Sequence, residues 1–167
     1  MTSPPTSEQL ATLPLLVSRP VGREHLDQNG HMNIGHYFGF AGEAMWARQR
    51  HDLLIDETYI SMRQMTTFTA EQHIRYFAEC VEGNRIDVHV VVAGRAEKAL
   101  HLVALLVNRT RDQLACVVES IVVHVDFTTR RAVSFPPDVA AAMDAAVVAD
   151  RRDWPLPLSG ALALRGA

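Results

Sequence analysis

The stretch His25–Tyr37, HLDQNGHMNIGHY, combines a carboxylate, several amides and three imidazoles with a turn signal and a helix start. Asn29-Gly30 favours a tight turn, because both residue types tolerate positive φ. Asn33 is a good helix N-cap, and apolar residues at helical spacing follow it. The stretch therefore predicts a polar loop that runs directly into the N-terminus of a helix.

The candidate catalytic groups of this loop are Asp27, Asn29 and His31. A helix N-terminus presents unpaired backbone N–H groups and the positive end of the helix dipole. A carboxylate beside it can attack, or activate water against, a carbonyl whose oxygen those N–H groups hold. Each residue also has a structural interpretation: Asp27 and Asn29 can serve the turn itself, and His31 can be a second helix cap. The combination on one loop favours catalysis for Asp27.

Outward from the loop, the sequence predicts a helix over 34–51. Glycine recurs inside it at 35, 39 and 42, and each glycine in a helix costs about 1 kcal/mol relative to alanine. The simplest reason is close approach by another backbone, a sheet or a ligand. Most of the circumference is apolar, which is typical of a buried helix with a sheet wrapped around it.

Alternating apolar residues predict one strand before the loop and four after the helix. Short polar turns between the later strands imply an antiparallel meander. The pattern indicates an α+β fold, a curved antiparallel sheet of about five strands around one central helix. Both faces of the last two strands are apolar, so the face away from the helix needs a cover, and a partner subunit is expected there. The predicted strands are 13–24, 66–77, 85–94, 99–107 and 114–127.

The chain of 167 residues fits one domain. We expect a disordered segment over 1–12, a single domain over 13–149 with a short helix near its end, and a tail over 150–167. The net charge of −3 argues against a nucleic-acid partner. The N-terminal residues lack signal-peptide features, and no apolar run is long enough for a membrane span. The two cysteines are expected to be buried in a reducing compartment, so the predicted location is the cytoplasm.

No HExxH, Cys/His spacing or nucleotide-binding motif is present in the sequence. His25, His31 and His36 straddle the predicted turn and helix start, where their side chains would point in different directions. We therefore expect no metal site and no cofactor. Glu119 is unusual because it interrupts an apolar strand, CVVESIVV; we interpret it as a paired carboxylate at an interface.

Asp27-x-Asn29-x-His31, followed by a helix that holds Tyr37, resembles the active-site loop of hot-dog fold thioesterases. Asp27 matches the catalytic aspartate of the 4-hydroxybenzoyl-CoA thioesterase type. The D-x-N-x-H spacing is similar to that of plant acyl-ACP thioesterases. The resemblance implies a hot-dog fold, with Asp27 as nucleophile or as general base on water, and it places the oxyanion donor at the backbone N–H of Ile34.

The resemblance extends to two later stretches. EQHIRYFAECVEGNRIDV is similar to the family's second and third strands, and HVDFTTRRAVSFPPDV looks like the end of the last strand in betainyl-CoA thioesterases. The resemblance implies a substrate pocket near Gly30, Tyr37, Glu71 and His73, where Gly30 would allow close approach of the thioester. Tyr37 is expected to be core or pocket wall.

The implied function is hydrolysis of an acyl-CoA to a free acid and CoA by a homodimer or homotetramer. Two other functions on the same fold stay open: a hydratase or dehydratase, and a non-catalytic acyl-CoA-binding protein. A betaine-like acyl group would be recognised by an aromatic cage. The candidate aromatic residues are Tyr37, Phe38, Trp46, Tyr59 and Phe68.

Overall fold

A computed structural model describes residues 4–165. Its helices and strands follow the predicted order, and most boundaries agree within one or two residues. The helices are α1 (Ser7–Ala11), α2 (Ile34–Asp52), α3 (Glu57–Arg63) and α4 (Pro137–Ala149). The strands are β1 (Leu15–Pro20), β2 (Met65–Tyr76), β3 (Arg85–Arg95), β4 (Ala99–Asn108), β5 (Gln113–Asp126) and β6 (Arg131–Ala132).

The strands form one antiparallel sheet in the order β1-β3-β4-β5-β2, and the short β6 pairs with the end of β5. Strand β2 pairs with β5 along its whole length and forms one edge of the sheet. A register shift between Thr69 and Glu71 marks a β-bulge in this edge strand. The α+β prediction, one central helix with a meander of antiparallel strands, is confirmed.

Helix α2 packs on the inner face of the sheet. Asn33 caps it by accepting the Gly35 N–H at 2.9 Å, as its position before the apolar residues predicts. Buried side chains of the helix, among them Tyr37, Ala41 and Ala44, join one core with the inner residues of β3, β4 and β5. This burial is the main stabilising contribution to the helix, because three glycines weaken its intrinsic propensity.

One face of α2 is exposed, so the prediction of a helix buried on most sides is wrong for this face. Ile34 and Phe38 are 67% and 44% exposed. A Cβ atom added at Gly39 or Gly42 would meet nothing within 4 Å. Packing inside this chain therefore does not require glycine at these two positions.

The opposite face of the sheet, the outer face, is covered by the two ends of the same chain. Leu10 and Leu13 from the N-terminal side, with Trp154 and Leu156 from the C-terminal side, pack on a second apolar cluster of β3, β4 and β5. A partner subunit is not needed to cover this cluster, which corrects the prediction made from the apolar strands.

The predicted disorder over 1–12 is also corrected for the helical residues Ser7–Ala11. Thr6 and Gln9 form a reciprocal capping box at the start of this helix. Leu10 is only 1% exposed against the outer face, and this burial stabilises the folded segment. Residues 1–3 and 166–167, which belong to the predicted N-terminal and C-terminal segments, lie outside the described residues.

Two buried polar contacts join the helices to each other and to the sheet. Arg48 on α2 donates to Asp150, which follows α4, with Nη2 2.9 Å from Oδ2. The hydroxyl of Tyr59 lies 2.7 Å from Nε2 of His124, and Nδ1 of His124 lies 3.1 Å from the Val133 carbonyl oxygen. Because a carbonyl only accepts, Nδ1 carries the proton and Nε2 accepts from the tyrosine.

Within residues 4–165, no helix is both long enough and apolar enough to cross a membrane.

Candidate functional site

The loop before α2 is held by hydrogen bonds centred on Asp27. Its Oδ1 accepts the N–H of Asn29 at 2.8 Å and that of His31 at 3.3 Å. Its backbone N–H donates to the His31 carbonyl at 2.8 Å, and Gly30 takes the left-handed conformation at φ +78°. The turn-forming interpretation of Asp27 is therefore correct, and the Asn-Gly turn forms as predicted.

The same geometry leaves the carboxylate of Asp27 fit for chemistry. Both backbone N–H groups that donate to this carboxylate bind Oδ1, so Oδ2 accepts neither of them. The backbone N–H of Asn29 stabilises the charged form and lowers the pKa of Asp27. The side chain is partly exposed and ionised at neutral pH, as a nucleophile or a general base must be.

His31 is oriented by a residue from a distant part of the sequence. Its Nε2 lies 3.0 Å from Oε2 of Glu79, in the segment between β2 and β3. Oε1 of Glu79 lies 3.7 Å from Nη1 of Arg111. Glu79 was not among the predicted site residues. It lies inside the family-like stretch EQHIRYFAECVEGNRIDV, but nothing in that stretch indicates that Glu79 meets His31.

The segment that carries Glu79 is fixed to the loop by its neighbour Cys80. The Cys80 carbonyl accepts the Met32 N–H at 2.7 Å. The Cys80 N–H donates to the hydroxyl of Tyr37 at 3.1 Å. Tyr37 is buried, burial raises its pKa, and its ring meets Tyr76 edge-on at 5.2 Å. Tyr37 is therefore a core residue that positions the loop.

The first residue of α2 presents an unpaired donor. Among the described residues, the Ile34 N–H has no acceptor, and the side chain of Ile34 is largely exposed. Helix N-termini normally leave such N–H groups for caps, water or ligands. Asn33 caps Gly35, so the N–H of Ile34 is the donor that stays available at this end of the loop.

The structure does not bring Glu71 and His73 together with this loop. Ile74 packs into the core on the α2 side, so His73 and Glu71 point to the outer face. His73 lies in register with Glu119, and Glu71 lies 3.4 Å from Arg165 near the C-terminus. The sheet separates both side chains from α2, and we do not retain them as pocket residues.

Within residues 4–165, no group of three or more His, Cys, Asp or Glu side chains is placed to hold a metal ion. His25 accepts the Gly22 N–H at Nδ1 and meets the ring of His36 edge-on at 4.8 Å. The imidazoles near the loop therefore contact different partners. The expected absence of a metal and of a cofactor stays a prediction.

Comparison with known proteins agrees with this architecture. The model of the thioesterase-like superfamily matches residues 21–143, which include the loop, α2 and the whole later sheet. The bifunctional L-carnitine dehydrogenase/betainyl-CoA thioesterase of Agrobacterium fabrum is 32% identical over 119 residues, 71% of this chain and 24% of that protein. The betainyl-CoA thioesterase of Pseudomonas aeruginosa is 28% identical over 135 residues, 79% of this chain and 82% of that protein.

A solved structure from Staphylococcus aureus, a hypothetical protein in complex with CoA, has a TM-score of 0.79 at 21% identity. The match covers 91% of this chain and 95% of the other, and it confirms the predicted hot-dog fold. The chain spans about a quarter of the length of the Agrobacterium protein. The match of the family model over most of the chain shows that this protein belongs to the thioesterase-like superfamily.

Proposed function

We propose that the protein hydrolyses an acyl-CoA thioester to the free carboxylic acid and CoA. The observation that carries the proposal is one loop with an ionised, partly exposed Asp27 and an unpaired Ile34 N–H at the following helix start. Asp27 attacks the thioester carbon or removes a proton from the attacking water. The Ile34 N–H donates to the oxygen that becomes negative in the tetrahedral intermediate.

His31 and Asn29 support this chemistry in the proposal. Glu79 holds the imidazole of His31 in one orientation through the 3.0 Å contact between Oε2 and Nε2. His31 can then deliver a proton to the leaving sulfur of CoA. Asn29 contributes the backbone N–H that keeps Asp27 ionised, and its side-chain amide adds a smaller contribution of the same sign.

The names of the relatives support a proposal for the substrate class. Two relatives are named betainyl-CoA thioesterases, and the Staphylococcus structure with a similar fold holds CoA. We propose a CoA thioester of a short polar acid, with betainyl-CoA as the first candidate. Phe38 on α2 and Tyr76 on β2 are exposed aromatic residues that can contribute to an aromatic site for a quaternary ammonium group.

The proposed active unit is a homodimer. Strand β2 is a long sheet edge that carries the exposed aromatic residues Phe68 and Tyr76, and such an edge is a template for pairing with another chain. The exposed glycine-bearing face of α2 offers a second surface that a partner can approach closely. The outer face of the sheet is occupied by the chain's own ends, which favours a dimer over a tetramer packed through that face.

The test is free-thiol release from a panel of acyl-CoAs, with wild type and Asp27→Asn compared. Loss of a catalytic base or nucleophile is expected to reduce kcat by about 100-fold or more. Asp126→Asn is the matched control, because Asp126 also accepts a backbone N–H in a turn, that of Thr129 at 2.7 Å. That control should keep full activity.

Equal activity of Asp27→Asn and wild type on a thioester that wild type hydrolyses would refute the proposed role of Asp27. Tight binding of acyl-CoA without thiol release would instead support a non-catalytic binding protein. Hydration of an enoyl-CoA, measured as the loss of its ultraviolet absorbance, would support the hydratase alternative. The expected cytoplasmic location and the absence of a nucleic-acid partner stay predictions.

A further inference from the structure

A buried carboxylate on the outer face of the sheet, that of Glu119, is paired inside its own chain. Its Oε1 accepts the Ser159 N–H at 2.6 Å, from the part of the chain that follows α4. This contact corrects the interpretation of Glu119 as an interface carboxylate. The sheet separates Glu119 from α2, so this carboxylate does not take part in the proposed reaction.

A second buried polar cluster lies beside the loop before α2 and is centred on Asn108, the last residue of β4. The Nδ2 of Asn108 donates to Oδ1 of Asn84 at 2.7 Å and lies 3.7 Å from Sγ of Cys80. Its Oδ1 accepts the Arg111 N–H at 3.1 Å. One side-chain amide therefore joins the segment between β2 and β3 to the turn between β4 and β5.

The hydrogen bonds fix the orientation of both amides. The Val81 N–H donates to Oδ1 of Asn84 at 3.1 Å, so Asn108 presents its NH₂ group to this acceptor. The Arg111 N–H in turn requires the oxygen of Asn108. Asn108 is 0% exposed and Asn84 is 6% exposed, so bulk water does not replace a partner that is lost.

The two joined segments carry the charged side chains nearest to His31. Glu79 directs Oε2 to Nε2 of His31 at 3.0 Å and Oε1 to Nη1 of Arg111 at 3.7 Å. The side chains of Glu79 and Arg111 are exposed, and an exposed ion pair contributes little to holding either of them. The position of Glu79 therefore depends on the backbone that carries it, and the buried amide of Asn108 holds that backbone.

We propose that Asn108 is a positioning residue for the reaction, because its buried amide keeps Glu79 at the place where the carboxylate orients His31. The inference rests on the proposed function, in which His31 protonates the leaving sulfur. Asn108 itself contacts neither the loop nor the reacting atoms. A small displacement of Glu79 would misalign the imidazole and slow the chemical step more than it weakens substrate binding.

The first test is thiol release by Asn108→Ser, which removes the NH₂ group and fits the buried site. We expect kcat to fall about tenfold with little change in KM, the loss also expected for Glu79→Gln. Because Asn108 acts through Glu79, adding Asn108→Ser to Glu79→Gln should cause no further loss of kcat. A general loss of structure would instead lower kcat in both backgrounds.

Gln49→Ser is the matched control for loss of a buried amide. Gln49 is 6% exposed and accepts the hydroxyl of Thr67. It lies on α2 about 22 Å along the helix from Ile34, so its loss affects stability and not the loop. This variant should keep the kcat of wild type.

Two NMR measurements need no turnover. Glu79→Gln should shift the imidazole signals of His31, and Asn108→Ser should shift them in the same direction, with no further shift in the double variant. In wild type, the N–H groups of Val81 and Arg111 donate to the two buried amides and should be protected from hydrogen exchange. The wild-type measurement does not depend on the folding of any variant.

Wild-type kcat in Asn108→Ser would overturn the positioning role, and so would an equal loss of kcat on adding this substitution to Glu79→Gln. Exchange of the Val81 and Arg111 N–H groups at the rate of unfolded amides would show that the network does not hold these segments. If wild type releases thiol from no acyl-CoA, the proposed hydrolysis fails. The His31 signals then decide the inference separately, because unchanged signals in Asn108→Ser would overturn it.

Discussion

The imidazole of His31 and the carboxylate of Glu79 lie 3.0 Å apart, Nε2 to Oε2, although 48 positions separate the two residues in the sequence. The contact joins the loop before α2 to the segment between β2 and β3. It gives the proposed proton donor a fixed orientation, and it makes Glu79 a positioning residue for the reaction.

Glu79→Gln keeps the size of the side chain and removes its charge. We expect kcat for thiol release to fall about tenfold with little change in KM, because an orienting hydrogen bond mainly affects proton transfer. Glu82→Gln, at a nearby exposed carboxylate, is the control. If His31→Gln alone costs as much as His31→Gln combined with Glu79→Gln, the two residues act as one unit. Additive losses would contradict the proposed pairing.

The exposed glycine face of α2 predicts opposite effects on stability and on function. Gly39→Ala should stabilise the isolated chain by about 0.5–1 kcal/mol, because alanine is the better helix former and its Cβ meets nothing here. Urea unfolding measures this gain. If a partner or ligand approaches this face, the same variant lowers dimer affinity or activity. Gly30→Ala is the contrast, since φ +78° should make it destabilising by about 1 kcal/mol.

The pH dependence of the reaction should reflect the lowered pKa of Asp27. The Asn29 N–H lowers the pKa of this carboxyl from its ordinary 3.8, so Asp27 stays charged until the pH falls below that value. The kcat/KM of wild type should therefore show no loss from Asp27 titration between pH 7.5 and 4.5. If kcat/KM does fall between pH 7.5 and 4.5, His31→Gln tests whether the His31 imidazole causes that fall. A fall that persists in His31→Gln, with the protein still folded, would argue against an ionised Asp27 as the base.

The buried pair of Tyr59 and His124 should matter for stability. Tyr59→Phe removes the hydroxyl that donates to Nε2 of His124 and leaves a buried acceptor unpaired, which costs about 1–3 kcal/mol. Tyr76→Phe, at an exposed tyrosine, should change the free energy of unfolding by less than about 0.5 kcal/mol. Equal effects of the two substitutions in urea unfolding would contradict the buried contact.

Burial also lowers the pKa of His124, so its neutral form stabilises the fold. This contribution is fully present above the unfolded-state pKa of about 6.5 and is lost as the pH falls through the folded-state value. Tyr59→Phe removes the hydrogen bond that favours the neutral imidazole, so the folded-state pKa should rise toward the unfolded-state value and the loss of stability in acid should be smaller than in wild type.

The sequence by itself determined the elements of this protein and the character of its loop. The helix over 34–51 and the later strands are encoded by side-chain periodicity, which is a local property. The turn at Asn29-Gly30 and the cap at Asn33 depend only on neighbouring residues, so Asp27 and Ile34 could be placed on a loop and at a helix start.

The tertiary structure alone decided which distant residues meet. Glu79 reaches His31 because the segment after β2 returns to the loop, and no local pattern encodes that return. Glu71 and His73 face away from α2, because one residue of register moves a whole strand's side chains to the other face, and the bulge at Thr69/Glu71 changes that register. The chain ends cover the outer face because Leu10 and Trp154 find apolar partners there, a long-range burial that their own polar surroundings in the sequence do not reveal.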